Sequence, residues 1–136
     1  MDYTLRFDSQ HRVLLVTLGK VVTRVSALAA YIAVERFLAA NGPCAEIADL
    51  SAVEKAEVPG SFVLSLARRP RAIFSGKPLI LVAPKPVVYG LSRMFQIARY
   101  EEAGGYQVVH TFQEAIALLA LETPDFRAVE EFAGAT

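Results

Sequence analysis

Asp49-Leu50-Ser51-Ala52-Val53-Glu54-Lys55-Ala56-Glu57-Val58-Pro59-Gly60 is the stretch that decides how this chain folds. Before it, Cys44 to Leu50 reads as a short buried strand. After it, Ser61 to Arg69 reads as a helix closed by Pro70. The twelve residues therefore join a strand's carboxyl end to a helix start. In an open α/β sheet that edge is where binding sites are built.

Working outward, Tyr3, Leu5 and Phe7 alternate with Thr4, Arg6 and Asp8, the period of a half-buried strand. A polar turn, Ser9-Gln10-His11, leads to the apolar run Val13 to Leu18, so the two segments are expected to form an antiparallel hairpin. A helix is expected from Arg24 to Asn41, capped by Thr23. Its core face carries Ala27, Ala30, Tyr31, Val34, Phe37 and Leu38, and Gly42-Pro43 follows it. Pro78 to Ala83 reads as a further strand, with its proline tolerable at the first position. Pro86 then opens a helix with Val87, Leu91, Met94, Phe95 and Ala98 on its apolar face and Ser92, Arg93, Gln96 and Arg99 on its polar one. Gly104-Gly105 ends that helix and Tyr106 to His110 is the last strand. Thr111-Phe112-Gln113-Glu114 is a capping box opening a fourth helix. The order predicts an α/β fold with a five-stranded mixed sheet: an N-terminal antiparallel hairpin, then parallel βα units, with four helices. Residues 1–122 form this one domain. Residues 123–136 are an extension in which Phe126, Val129 and Phe132 suit a short helix.

This pattern resembles the STAS family, which includes the bacterial anti-sigma-factor antagonists. The family motif reads Asp-Leu-Ser-x-Val, three residues, then Asp-Ser-Ser-Gly at a helix start. Asp49, Leu50, Ser51 and Val53 match it, and Gly60 falls at the expected spacing. Glu57 stands where the family has aspartate, and Val58 and Pro59 stand where it has two hydroxyl residues. The segment Tyr89 to Gln96 also looks like bacterial members of the group. The resemblance implies a cytoplasmic, non-catalytic regulatory module that docks a protein partner. It places the partner edge at Glu57, Val58, Pro59, Gly60 and Ser61, with Lys85 and Tyr89 on the neighbouring loop and helix. The family's switch is serine phosphorylation, which adds about −1.5 to −2 charges at a helix start. Valine and proline have no hydroxyl, so the switch is absent here. Ser61 lies one residue past the glycine and reads as an ordinary first-turn residue.

No catalytic or metal constellation stands out. Asp49 and Glu57 read as a loop-bonding carboxylate and a helix-start charge, not an acid/base pair. His11 and His110 have no ligand partners at zinc spacing. Cys44, the only cysteine, reads as a small core residue and rules out an intrachain disulfide, which fits a reducing compartment. Arg68, Arg69, Arg71 and Lys77 suit a helix C-terminus. No phosphate loop implies a cofactor.

Lys plus Arg equals Asp plus Glu at 14 each, which removes a global electrostatic case for nucleic acid. Hydrophobic residues make up 54% of the 136, yet no run approaches the roughly 20 needed to span a bilayer. No basic segment followed by an apolar one marks a signal peptide. The surplus apolarity is expected in core, in a homodimer interface or in a pocket. The leading expectation is therefore a protein-interaction module. The alternative is a carrier or sensor of a small apolar ligand, in the manner of CRAL-TRIO lipid-transfer domains, which needs a cavity of at least about 300 Å³.

Overall fold

Val13–Leu18 (β2) sends Leu14 and Val16 to one side and Val13 and Leu15 to the other, because strand side chains alternate. Leu79–Val82 (β6) does the same, with Leu79 and Leu81 against Ile80 and Val82. Between them Ala45–Asp49 (β4) splits Ala48 from Ile47. Strands apolar on both faces must be covered on both faces, so these three form the sheet centre. The structure is a computed structural model and describes residues 2–69, 77–99 and 106–129.

Tyr3–Asp8 (β1) pairs antiparallel with β2 over its full length, as the hairpin reading predicts. Beyond β4 and β6, Tyr106–Val109 (β7) completes the parallel part. The helices are Arg24–Asn41 (α1), Gly60–Ala67 (α2), Pro86–Ala98 (α3) and Phe112–Leu118 (α4). Residues of α1 and α3 pack on the Leu14 face and α4 on the Ile47 face. Both predicted caps are present. Thr23 and Ser26 exchange bonds at the start of α1, and Thr111 and Glu114 at the start of α4. Gly42 takes φ 86°, the region that favours glycine, and ends α1.

The strand count is corrected. The main sheet has six strands among the described residues, not five, in the order β7, β6, β4, β2, β1 and Arg127–Ala128 (β8). A second, two-stranded sheet joins Val21–Thr23 (β3) in parallel to Lys55–Glu57 (β5). Three-residue strands are too short to show a period, which is why the sequence reading passes over them. The spacing of Phe126, Val129 and Phe132 suits a short helix, but the described part of the extension holds the strand β8. In the structure Phe126 packs with the α4 side and Val129 with the α1 side. A separation of three is odd, so in extended chain the two side chains point to opposite faces. Phe132, Pro70, Arg71, Tyr100 and Gly104-Gly105 lie outside the described residues.

Asp8 fixes that extension. It is buried, and its carboxylate accepts from His11 N (3.0 Å), His11 Nδ1 (2.8 Å) and Asp125 N (3.0 Å). Burial alone pushes its pKa up, but the backbone donors of His11 and Asp125 and the His11 ring outweigh burial and hold it at about 2. A pKa below the unfolded value means stability that is complete above pH about 4 and is lost as pH falls through about 2. Urea denaturation between pH 4 and pH 2 is expected to show wild-type stability falling more steeply than that of Asp8→Asn. Equal slopes would show that Asp8 is not the group responsible.

Candidate ligand-binding pocket

The face of the sheet beneath α1, α2 and α3 is not filled. A partly open cavity of about 220 Å³ lies there. Val16, Ala48 and Leu81 form its floor, and α1 covers it with Ala27, Ala30, Tyr31, Val34, Glu35 and Leu38. Val63 and Leu66 of α2 and Val88, Leu91, Ser92 and Phe95 of α3 close the other side. Its origin lies in side-chain size. Small residues at positions 27, 30 and 48 leave between helix and sheet a space that larger ones would occupy. A second hollow of about 320 Å³, beside Phe7, Asn41 and Val129, is more open and bounded by few residues, so it encloses a ligand poorly.

One end of the pocket is apolar and lies at the carboxyl edge of the strands. There Val22, Val53, Ala83 and Val88 form a buried cluster to which Val58 and Tyr89 add. The structure thus brings together the two segments that the resemblance marks as a partner edge. Val58 lines the pocket. Pro59 occupies the N-cap of α2 without a side-chain cap bond, and Gly60 follows with Met94 Cε 2.8 Å from where a Cβ would stand. Ser61 is exposed. Glu57 lies on β5, mostly exposed, and pairs with Lys55 at 3.4 Å. Lys85 is the exposed N-cap of α3, and Tyr89 stacks on His110 with centroids 4.5 Å apart. Glu57, Ser61 and Lys85 are absent from the pocket wall.

Behind Tyr31, Glu35, Leu66 and Phe95 at the other end lies a charged hub. Arg99 is only 3% exposed and donates to the Tyr31 hydroxyl, to Leu66 O (3.1 Å) and to Arg69 O (3.2 Å). Its guanidinium also lies over the rings of Tyr31 and Phe95. Arg69 bonds Glu35 Oε1 at 3.2 Å and lies over Tyr31 in turn. One side chain therefore ties α1, the end of α2 and α3 together.

This corrects the reading of α3. The sequence pattern puts Val87 and Ala98 on its apolar face, yet both are exposed, Val87 at 69%. The same pattern puts Ser92 and Arg99 on its polar face, yet both are buried. The inward stripe is Val88, Ser92, Phe95 and Arg99, a four-, three- and four-residue spacing that is as helical as the one the apolar residues suggested. Hydrophobicity picked the neighbouring stripe because Arg99 finds its partners on other helices, which no local pattern reveals.

The other candidates resolve locally. Asp49 Oδ1 accepts from Ser51 N at 2.9 Å, as a loop-bonding residue should, while Glu57 is engaged with Lys55. Burial, with the charge of Glu46 added, pushes the Cys44 thiol up to about 11, so it is a poor nucleophile. Among the described residues no three of His, Cys, Asp and Glu gather as a metal site would require, and no helix is long and apolar enough to cross a membrane. Comparison with family models, curated proteins and solved structures finds no match.

Proposed function

We propose that the protein is a non-catalytic binding module whose pocket holds a small apolar ligand. The observation that carries this is the cavity itself. A space walled almost wholly by aliphatic and aromatic side chains is open enough to admit a guest and poor in groups that hold water. Its size narrows the reading. An apolar cavity of about 150 Å³ holds benzene, so 220 Å³ suits by proportion a molecule of about nine non-hydrogen atoms. That is below the 300 Å³ or so that a carrier of whole lipids needs. The ligand is accordingly a short-chain or single-ring molecule.

The partner-docking expectation attaches to the same pocket. Val58 and Val88 are both wall and rim, and Val21, Val25 and Val87 stand exposed on adjoining elements. Ligand occupancy then becomes what a partner reads in place of phosphate. Methyl NMR during titration with octan-2-one tests both. The expected shifts fall on Val16, Ala48, Leu81, Val58 and Val88, while Val13, Ile47 and Ile80 on the opposite face stay still. Shifts spread over both faces, or none at saturation, would reject the pocket. Shifts that spare Val58 and Val88 would reject the link to the edge.

A further inference from the structure

The polar side chains in the pocket wall are those of Tyr31, Glu35, Glu46 and Ser92, and Ser92 is only 5% exposed. Tyr31 is bonded by Arg99, Glu35 is bonded by Arg69, and Glu46 has contacts of its own. Ser92 is the uncharged hydroxyl that remains, flanked on the same inward stripe by Val88 and Phe95. A polar atom so placed is matched by a polar atom of the guest.

The rest of the wall limits what that atom is. The ionisable groups lining the pocket are Glu35, Glu46 and Tyr31, and no lysine, arginine or histidine lines it. Two carboxylates and an apolar wall oppose an anionic guest. A cation would need a carboxylate to itself, but Glu35 is bonded to Arg69 and Glu46 has contacts of its own. The guest that fits is therefore uncharged. We propose that the pocket's ligand is an uncharged, mainly apolar molecule of about nine non-hydrogen atoms with one hydroxyl or carbonyl oxygen, and that Ser92 hydrogen-bonds that oxygen. The assignment rests on the apolar-pocket reading above and adds to it the polar group and its anchor.

A matched series tests it: octan-2-one, octan-1-ol, nonane, octanoate and octylamine, titrated against the full chain and against Ser92→Ala, with Kd read by NMR. The ketone and alcohol are expected to bind about tenfold more tightly than nonane, the size of one net hydrogen bond. Octanoate and octylammonium are expected to bind more weakly than either. In Ser92→Ala the oxygen's advantage disappears while nonane binds as well or better. Should that variant not fold, Ser92→Thr and Ser92→Val, matched in shape, carry the same contrast. Nonane equal to the ketone in wild type, tightest binding of octanoate or octylammonium, or an equal loss for all ligands in Ser92→Ala overturns the assignment and leaves the pocket standing. No binding by any of the five overturns the pocket reading itself.

Discussion

Replacing Arg99 with methionine is expected to lower the unfolding free energy by about 3 kcal/mol. Methionine keeps an apolar stem over Phe95 and removes only the guanidinium, so the loss reports the polar hub. Three acceptors, one on α1 and two at and just past the end of α2, lose a donor at once: the Tyr31 hydroxyl and the carbonyls of Leu66 and Arg69. A buried acceptor left unsatisfied costs about 1–3 kcal/mol; Leu66 O keeps the bond it accepts from Arg69 N, and water reaches the opened end, so the loss stays well below three full penalties. The last turn of α2 has no basic residue to hold its carbonyls, so Arg99 does from a neighbouring helix what a C-terminal lysine does locally. Tyr31→Phe removes a single contact and is expected to cost only about 1 kcal/mol. Equilibrium urea denaturation measures both. A change below about 0.5 kcal/mol in Arg99→Met would mean that the hub does not hold the three helices together.

Ala48→Phe is expected to separate binding from stability. Ala48 lies on the pocket floor in β4, a central strand where an aromatic residue suits the backbone. Its new ring enters empty space, so the fold should lose no more than about 1 kcal/mol, less than the 1–3 kcal/mol typical of overpacking. Ala115→Phe is the control. Ala115 is fully buried on the inner side of α4 with Val13, Ile47, Ile80 and Val82, on the opposite face of the sheet from the pocket. There the same substitution should cost about 3 kcal/mol. Affinity for octan-2-one should move the other way. A ring that keeps even three methylenes from burial, at about 0.8 kcal/mol each, weakens binding about fiftyfold. Ala115→Phe should leave affinity unchanged wherever it remains folded. Unaltered binding in Ala48→Phe, or equal destabilisation by the two variants, would show that the space beneath α1 is not the binding site.

Local chemistry was legible in the sequence, and long-range partnership was not. Thr23 and Thr111 announce their helices because a cap is decided within four residues. The hairpin of β1 and β2 was readable from alternation and a short turn. Asp8 looked like an ordinary outward strand residue. Its third bond comes from Asp125, 117 residues away, and that bond helps lay the extension against β1 as a sixth strand. Ser92 and Arg99 were misplaced for the same reason: their surroundings are supplied by α1, α2 and an empty space. The segment from Asp49 to Gly60 was informative in a narrower way. It marked the carboxyl edge correctly, and Val58 proved to face a cavity that no sequence pattern encodes. A cavity is a deficit of volume among residues far apart in the chain, and Ala27, Ala30 and Ala48 become its outline only once helix and sheet are packed.

The most direct measurement is a crystal structure under xenon pressure, because xenon enters apolar cavities without needing a polar contact. The account predicts xenon density bounded by Val16, Ala48, Leu81 and Phe95 in the wild-type protein, and none there in Ala48→Phe. Wild-type crystals with no density between α1 and the sheet, or with side chains collapsed into that space, would contradict it.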